Sequence, residues 1–171
     1  MNLNKFVPVS ALFLTLICGY SSTMAAEKPA ENDIKIDVPV VLKQAKVVFN
    51  MDHIAAQGDM PVGLRYMDLM TKRFKENKTE GNIIAVFHGM AGYMILNDEA
   101  YNQNRKVTTG NPYKALVANL IGEGVQIEEC AVTMKSNSWS NKDLLPSIKV
   151  NTGAVARLVQ LTQNGYTAIQ P

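Results

Sequence analysis

Apolar and polar positions divide most of the chain into short alternating blocks. Ala45-Lys46-Val47-Val48-Phe49-Asn50-Met51 is β-branched and aromatic, the mark of a buried strand. Gly58-Asp59 follows as a turn and a helix cap. Met60, Gly63, Leu64, Met67, Met70 and Phe74 then recur at helical spacing, while Arg65, Asp68, Lys72, Lys75 and Glu76 fall off that face. Pro61 stands in the first turn, where proline is tolerated. Asn82 to Phe87 reads as a second strand, ending in His88-Gly89, and Ala91 to Leu96 as a short helix. Asn97 to Gly110 is polar and reads as a long loop. Asn111-Pro112 caps and starts a helix with an apolar stripe of Tyr113, Leu116, Val117, Leu120 and Ile121; Gly122 and Gly124 end it.

Val125 to Glu129 is a third strand that delivers Cys130, and Ala131 to Met134 suits a helical turn. Ser136 to Asn141 is a polar loop around Trp139. Ile148-Lys149-Val150 is a short fourth strand. Asn151 or Thr152 caps a last helix carrying Val155, Leu158, Val159 and Thr162, and Tyr166 to Ile169 is a terminal strand. Strands alternating with helices predict an α/β domain of three layers, α/β/α, around a mainly parallel sheet of about five strands.

In such sheets ligands bind beyond the carboxyl ends of the strands. Those ends carry Asn50, Asp52 and His53, then His88 and Gly89, then Cys130, then Asn151 and Thr152. If the strands are neighbours, one shallow site holds them all. A turn of helix after Cys130 would favour a thiolate, and so would a nearby histidine. Glu128 and Glu129 would oppose it.

The N-terminus changes the picture. Lys5 precedes an apolar run from Phe6 to Gly19, and Met24-Ala25-Ala26 follows a short polar stretch. This is the pattern of a secretory signal peptide, residues 1–25, cut after Ala25; the apolar run is short for a membrane anchor. Residues 26–44, with Pro29 and Pro39, read as a flexible arm, and residues 45–171 as the domain. A periplasmic location follows, with no membrane span after cleavage. Loss of Lys5 lowers the formal net charge of +2 by one, and with few aromatics the chain has no electrostatic footprint for nucleic acid. Of the two cysteines, Cys18 leaves with the signal peptide. A lone Cys130 in an oxidising compartment is either a buried, inert thiol or one that does chemistry.

Other chemistries find little support. There is no C-x-x-C, G-x-G-x-x-G, Walker loop or G-x-S-x-G. His53, His88 and Cys130 lack metal-ligand spacing, and Met60, Met67 and Met70 fit a packed helix face. No metal and no cofactor are expected.

Lys46-Val47-Val48-Phe49, Phe87-His88-Gly89, Leu120 to Cys130, Asp143-Leu144-Leu145-Pro146, Val150-Asn151-Thr152-Gly153 and the ending Gly165 to Pro171 together resemble the DsrE/DsrF-like family, in its exported, single-protein branch. The resemblance covers roughly Lys46 to Pro171. It implies a DsrEFH-like fold. It also implies a cysteine, here Cys130, that accepts and passes sulfur as a persulfide, and assembly as a homo-oligomer, a trimer or hexamer. His88 would assist as base or donor; His53, Gly89, Asn50 and Asn151 would shape the pocket. The partners would be a sulfur donor or acceptor protein. The alternative is a non-enzymatic binding or assembly protein that keeps the fold with Cys130 buried.

Overall fold

In a computed structural model, residues 34–171 are described. The signal peptide and the start of the arm expected before them lie outside the described residues. The chain divides into two units after Val38. Of the first, residues 34–38 are exposed and contain an ion pair, Lys35 Nζ to Asp37 at 2.9 Å. Residues 39–43 are also exposed and form neither helix nor strand. The second unit, Pro39–Pro171, holds the secondary structure of the described residues.

Its elements are β1 (Gln44–Met51), β2 (Ala56–Gln57), β3 (Met60–Pro61), α1 (Val62–Asn77), β4 (Glu80–Phe87), α2 (Asp98–Arg105), α3 (Lys114–Gly122), β5 (Gln126–Cys130), α4 (Ala131–Ser136), β6 (Lys149–Asn151), α5 (Ala154–Gln163) and β7 (Thr167–Ile169). A 3-10 helix at Gly89–Ile95 follows β4, and another at Asn141–Asp143 follows α4. Five strands form one wholly parallel sheet in the order β6-β5-β4-β1-β7.

Alternation along the strands builds the layers. Val47, Phe49 and Met51 of β1, Ile83, Ala85 and Phe87 of β4, and Ile127 of β5 pack in one core with Leu64, Met67 and Phe74 of α1 and Val117 and Leu120 of α3. Val48, Ile84, Val86 and Cys130 form the other core with Ala154 and Leu161 of α5. Both faces are covered, so the strands read as nearly continuous apolar runs. Gly81 is where α1 comes close: a Cβ there would lie 2.0 Å from the Phe74 ring.

Four sequence expectations are corrected. The segment Asn97–Gly110 is not a loop throughout, because it contains α2. Asn97 caps that helix by accepting the Ala100 N–H at 2.9 Å, and Asp98 and Glu99 sit in its first turn. Gly58-Asp59 does not cap α1; it turns the β2–β3 hairpin, which leaves Met60 exposed and off the helix. Asn111 does not cap α3 at Pro112, since the helix starts at Lys114. Instead Asn111 accepts the Tyr113 N–H and donates to the carbonyls of Met94 and Leu96, which ties α3 to the 3-10 turn. The cap position of α5 is Gly153, not Asn151 or Thr152. Val155 and Val159 face outward, 75% and 53% exposed, while Ala154, Leu158 and Leu161 face the sheet.

Candidate functional site

Strands β1, β4, β5 and β6 are neighbours and all point the same way, so their carboxyl ends lie along one edge of the sheet. Cys130 is the last residue of β5 and pairs in register with Asn151 of β6. Past the strands the ladder continues: His88 N–H donates to Met51 O at 2.9 Å, and Met90 N–H to Asp52 O at 3.1 Å. Gly89 sits at φ +56°, where a Cβ would meet Asp52 O at 2.9 Å, so this crossing needs glycine.

The thiol lies under the start of two helices. Cys130 is 4% exposed. The Ala154 N–H at the head of α5 donates to Sγ at 3.3 Å. Cys130 occupies the N-cap position of α4 without closing a capping hydrogen bond. Burial alone pushes the thiol up. The amides of Thr133, Ala154 and Val132 and the Thr133 hydroxyl outweigh it, and leave the thiol below its ordinary value. Thr133 Oγ1 in turn accepts the Gly89 N–H at 3.0 Å.

Two residues back on the same face of β5 stands Glu128, buried and held by Arg157 of α5 through two N–H groups, Nε to Oε2 at 2.9 Å and Nη2 to Oε1 at 2.7 Å. Asn151 Nδ2 adds a bond to the same carboxylate at 3.2 Å, and its Oδ1 is buried without a partner. Burial raises the Glu128 carboxyl, but Arg157, Gln126 and Asn151 together hold it below the ordinary carboxylate value. The expected opposition of Glu128 to the thiolate is therefore met by a paired cation.

The two histidines form a second group. His88 Nε2 is 2.8 Å from Asn50 Oδ1; Asn50 Nδ2 donates to Gln170, whose Nε2 donates to Asp52 Oδ1 at 2.8 Å; His53 Nδ1 pairs with the same Asp52 oxygen. The His53 bond is the main cause of an Asp52 carboxyl below its ordinary value. Asn50, His53 and His88 are thus brought together, and the Gly89 N–H reaches the Thr133 hydroxyl of α4. No hydrogen bond links either imidazole to Sγ among the described residues. Asp52 is among the strand-end residues that the sequence offers, whereas Thr133, Ala154, Gln170 and Arg157 are not. Thr133 had one signal, its place three residues after a capping position.

Glu129 points to the opposite face. It is fully buried, with both carboxyl oxygens lacking a hydrogen-bond partner, against Gly92 and Trp139. Burial pushes its carboxyl up to about 9, so it is a neutral acid at neutral pH. Two surface depressions lie away from the thiol, one at the amino ends of β4 and β5 around Lys75 and Lys78, one beside Trp139. Among the described residues no group of three or more His, Cys, Asp or Glu is placed to hold a metal ion, and no helix is long and apolar enough to cross a membrane.

A wholly parallel five-stranded sheet with a cysteine closing its third long strand in chain order defines the class, and the chain belongs to the DsrE/DsrF-like family, whose sequence profile matches residues 43–171. Its fold is similar to that of the protein of unknown function MTH1491 from Methanobacterium thermoautotrophicum. The two are 21% identical, with TM-score 0.58 over 74% of this chain and 99% of that one. It is also similar to the ychN protein from E. coli, at 14% identity and TM-score 0.53 over 74% and 99%. At these identities the likeness concerns the fold. No curated protein matches the chain significantly.

Proposed function

We propose that this protein is a periplasmic carrier of sulfane sulfur, with Cys130 as nucleophile and carrier. The observation that supports it best is the place of the Cys130 sulfur, at the end of β5, at the N-cap position of α4 and accepting the Ala154 N–H at the head of α5 at 3.3 Å. In the forward step the Cys130 thiolate attacks the outer sulfur of a donor persulfide. A new S–S bond forms to Sγ, the donor's S–S bond breaks, and the donor leaves as a thiolate. Discharge is the same exchange onto an acceptor thiolate, so no external oxidant or reductant is consumed. His88 serves as acid–base group at the rim, while Asn50, His53, Gly89 and Asn151 shape the approach. Donor and acceptor are proteins or small thiols that reach the carboxyl edge of the sheet. The chain assembles as a homo-oligomer, a trimer or hexamer.

A second reading is favoured by one specific observation. Cys130 is 4% exposed and packs with Val48, Ile84, Val86 and Leu161, as an inert core thiol would. In that case the protein is a binding or assembly module. Intact mass after incubation with polysulfide, beside Cys130→Ser, decides between them. A reducible gain of sulfur that the serine variant lacks supports the carrier. No gain, with the thiol alkylated only after unfolding, refutes it and leaves the binding module.

A further inference from the structure

The last stretch before β1 has the pattern of a strand and no place in the sheet. In Ile34-Lys35-Ile36-Asp37-Val38-Pro39-Val40-Val41-Leu42 every second residue from Ile34 is apolar, the period of a half-buried strand. Lys35 and Asp37, paired with each other, fall at the alternate positions. Yet Ile34, Ile36, Val38 and Val40 are each between 66% and 78% exposed. The stretch precedes residue 43, where the family's part of the chain begins, so the fold of the domain does not account for it.

The sheet has a matching gap. β4 pairs with β1 along its whole length, Glu80 to Phe87, but with β5 only from Ile84. Strand residues point their N–H and C=O groups alternately to the two sides. The Glu80 N–H donates to Lys43 O on the β1 side, so the N–H and C=O of Gly81 point to the β5 side, where among the described residues no strand residue stands opposite them. Gly81 is exposed and has no side chain to shield this edge. The gap opens into the depression at the amino ends of β4 and β5, about 380 Å³, floored by Phe74, Ile83 and Val125 and rimmed by Lys75 and Lys78. An open edge of this kind is a template for one more strand.

We propose that the arm of one copy enters the gap beside β4 of a second copy, laying Ile36 and Val38 over the apolar floor and joining its backbone to the Gly81 edge. The charges agree: the arm carries Glu31, Asp33 and Asp37 against Lys35, and the rim carries Lys75 and Lys78 against Glu123. A copy's own arm starts on the wrong side. Leu42 O accepts the Thr79 hydroxyl at 2.7 Å and Lys43 O accepts the Glu80 N–H at 3.0 Å, both on the β1 side of β4. Crossing to the far side spans two strand spacings, about 10 Å, which uses up Pro39–Val41 fully extended and leaves none of them to reverse the chain. A neighbour's arm meets no such restriction. Each copy offers one arm and one gap, so the exchange closes reciprocally between two copies or cyclically among more. The inference rests on the homo-oligomer reading and not on the carrier.

Light scattering after size exclusion of the chain from Ala26 onward reads the assembly. Ile36→Asp with Val38→Asp puts charge on residues that are already exposed, so the domain folds as before, and the mass falls at least two-fold. A disulfide reads the place. In a Cys130→Ser background, a chain carrying both Val38→Cys and Lys78→Cys, mildly oxidised, becomes linked to other copies, and neither single variant does so to the same extent. A bridge that forms only within one chain, or no bridge beyond the single variants, overturns the proposal. An oligomeric parent whose arm variant keeps the same mass refutes the exchange alone. A parent that runs as a single chain refutes the exchange and the homo-oligomer reading together.

Discussion

Replacing Glu129 with glutamine should stabilise this protein increasingly as pH rises. Glu129 is fully buried, neither carboxyl oxygen has a partner, and its carboxyl titrates near 9 instead of 4.5. The sign follows from proton counting. Between about pH 4.5 and 9 the folded protein holds a proton here that the unfolded chain has lost. Stability is therefore fully present below the lower value and falls as pH rises, by about 1.4 kcal/mol per unit. From about pH 5 to 8 the loss attributable to Glu129 is about 4 kcal/mol, a large part of the 5–15 kcal/mol that holds an ordinary domain together. Glutamine has nearly the same shape and no proton to lose. It also leaves a buried amide unpartnered, which makes the two proteins similar at the acid end.

Other groups do not imitate this effect. The depressed carboxyls of Asp52, Glu128, Asp98 and Asp143 add stability that is lost only as pH falls below their ordinary values, 3.8 for the aspartates and 4.5 for Glu128. The depressed Cys130 thiol adds stability as pH rises toward 9.0, the opposite sign, and it is common to both proteins at first approximation. Urea unfolding followed by fluorescence suits the test. Trp139 is the only tryptophan, it is buried, and its ring stands edge-on to Tyr93 at 5.0 Å beside the carboxyl in question. The stability gap between Glu129→Gln and the parent should open steadily from about pH 5 to pH 8. Parallel profiles with a constant gap would refute the reasoning, since they would mean that Glu129 is ionised or solvated in the folded protein.

Two further outcomes follow from the same geometry. Arg157→Met strands the buried Glu128 carboxylate and should cost about 3 kcal/mol in urea unfolding near neutral pH, with most of it recovered by Glu128→Gln in the same chain. Asn97→Ala removes the cap of α2, together with a donor to Lys142 O at 2.8 Å, and should lower stability by about 1–2 kcal/mol without altering the Cys130 titration.

What the sequence makes legible depends on whether the cause is local. The β-branched runs at 45–51 and 82–87 declare strands because both faces of a parallel sheet are buried, and Cys130 stands at a strand end for the same local reason. Helix α2 hides in a polar stretch because it rides on the surface with Ala100 as its buried residue; its signal lies in the cap Asn97, not in hydrophobic period. The pairing of Asn50 with Gln170, and so the link from His88 to Asp52, depends on β7 lying beside β1, a strand order that composition does not encode. Glu128-Glu129 is the sharpest case. Both carboxylates read as opponents of the thiolate, yet alternation along β5 sends one to each covered face. There the first meets Arg157 and is kept charged, and the second meets Gly92 and Trp139 and is kept neutral. The same pair of letters thus yields an anion and an acid, one on each side of the strand that carries the thiol. That difference is set by what packs above and below β5 and becomes readable only once the layers are in place.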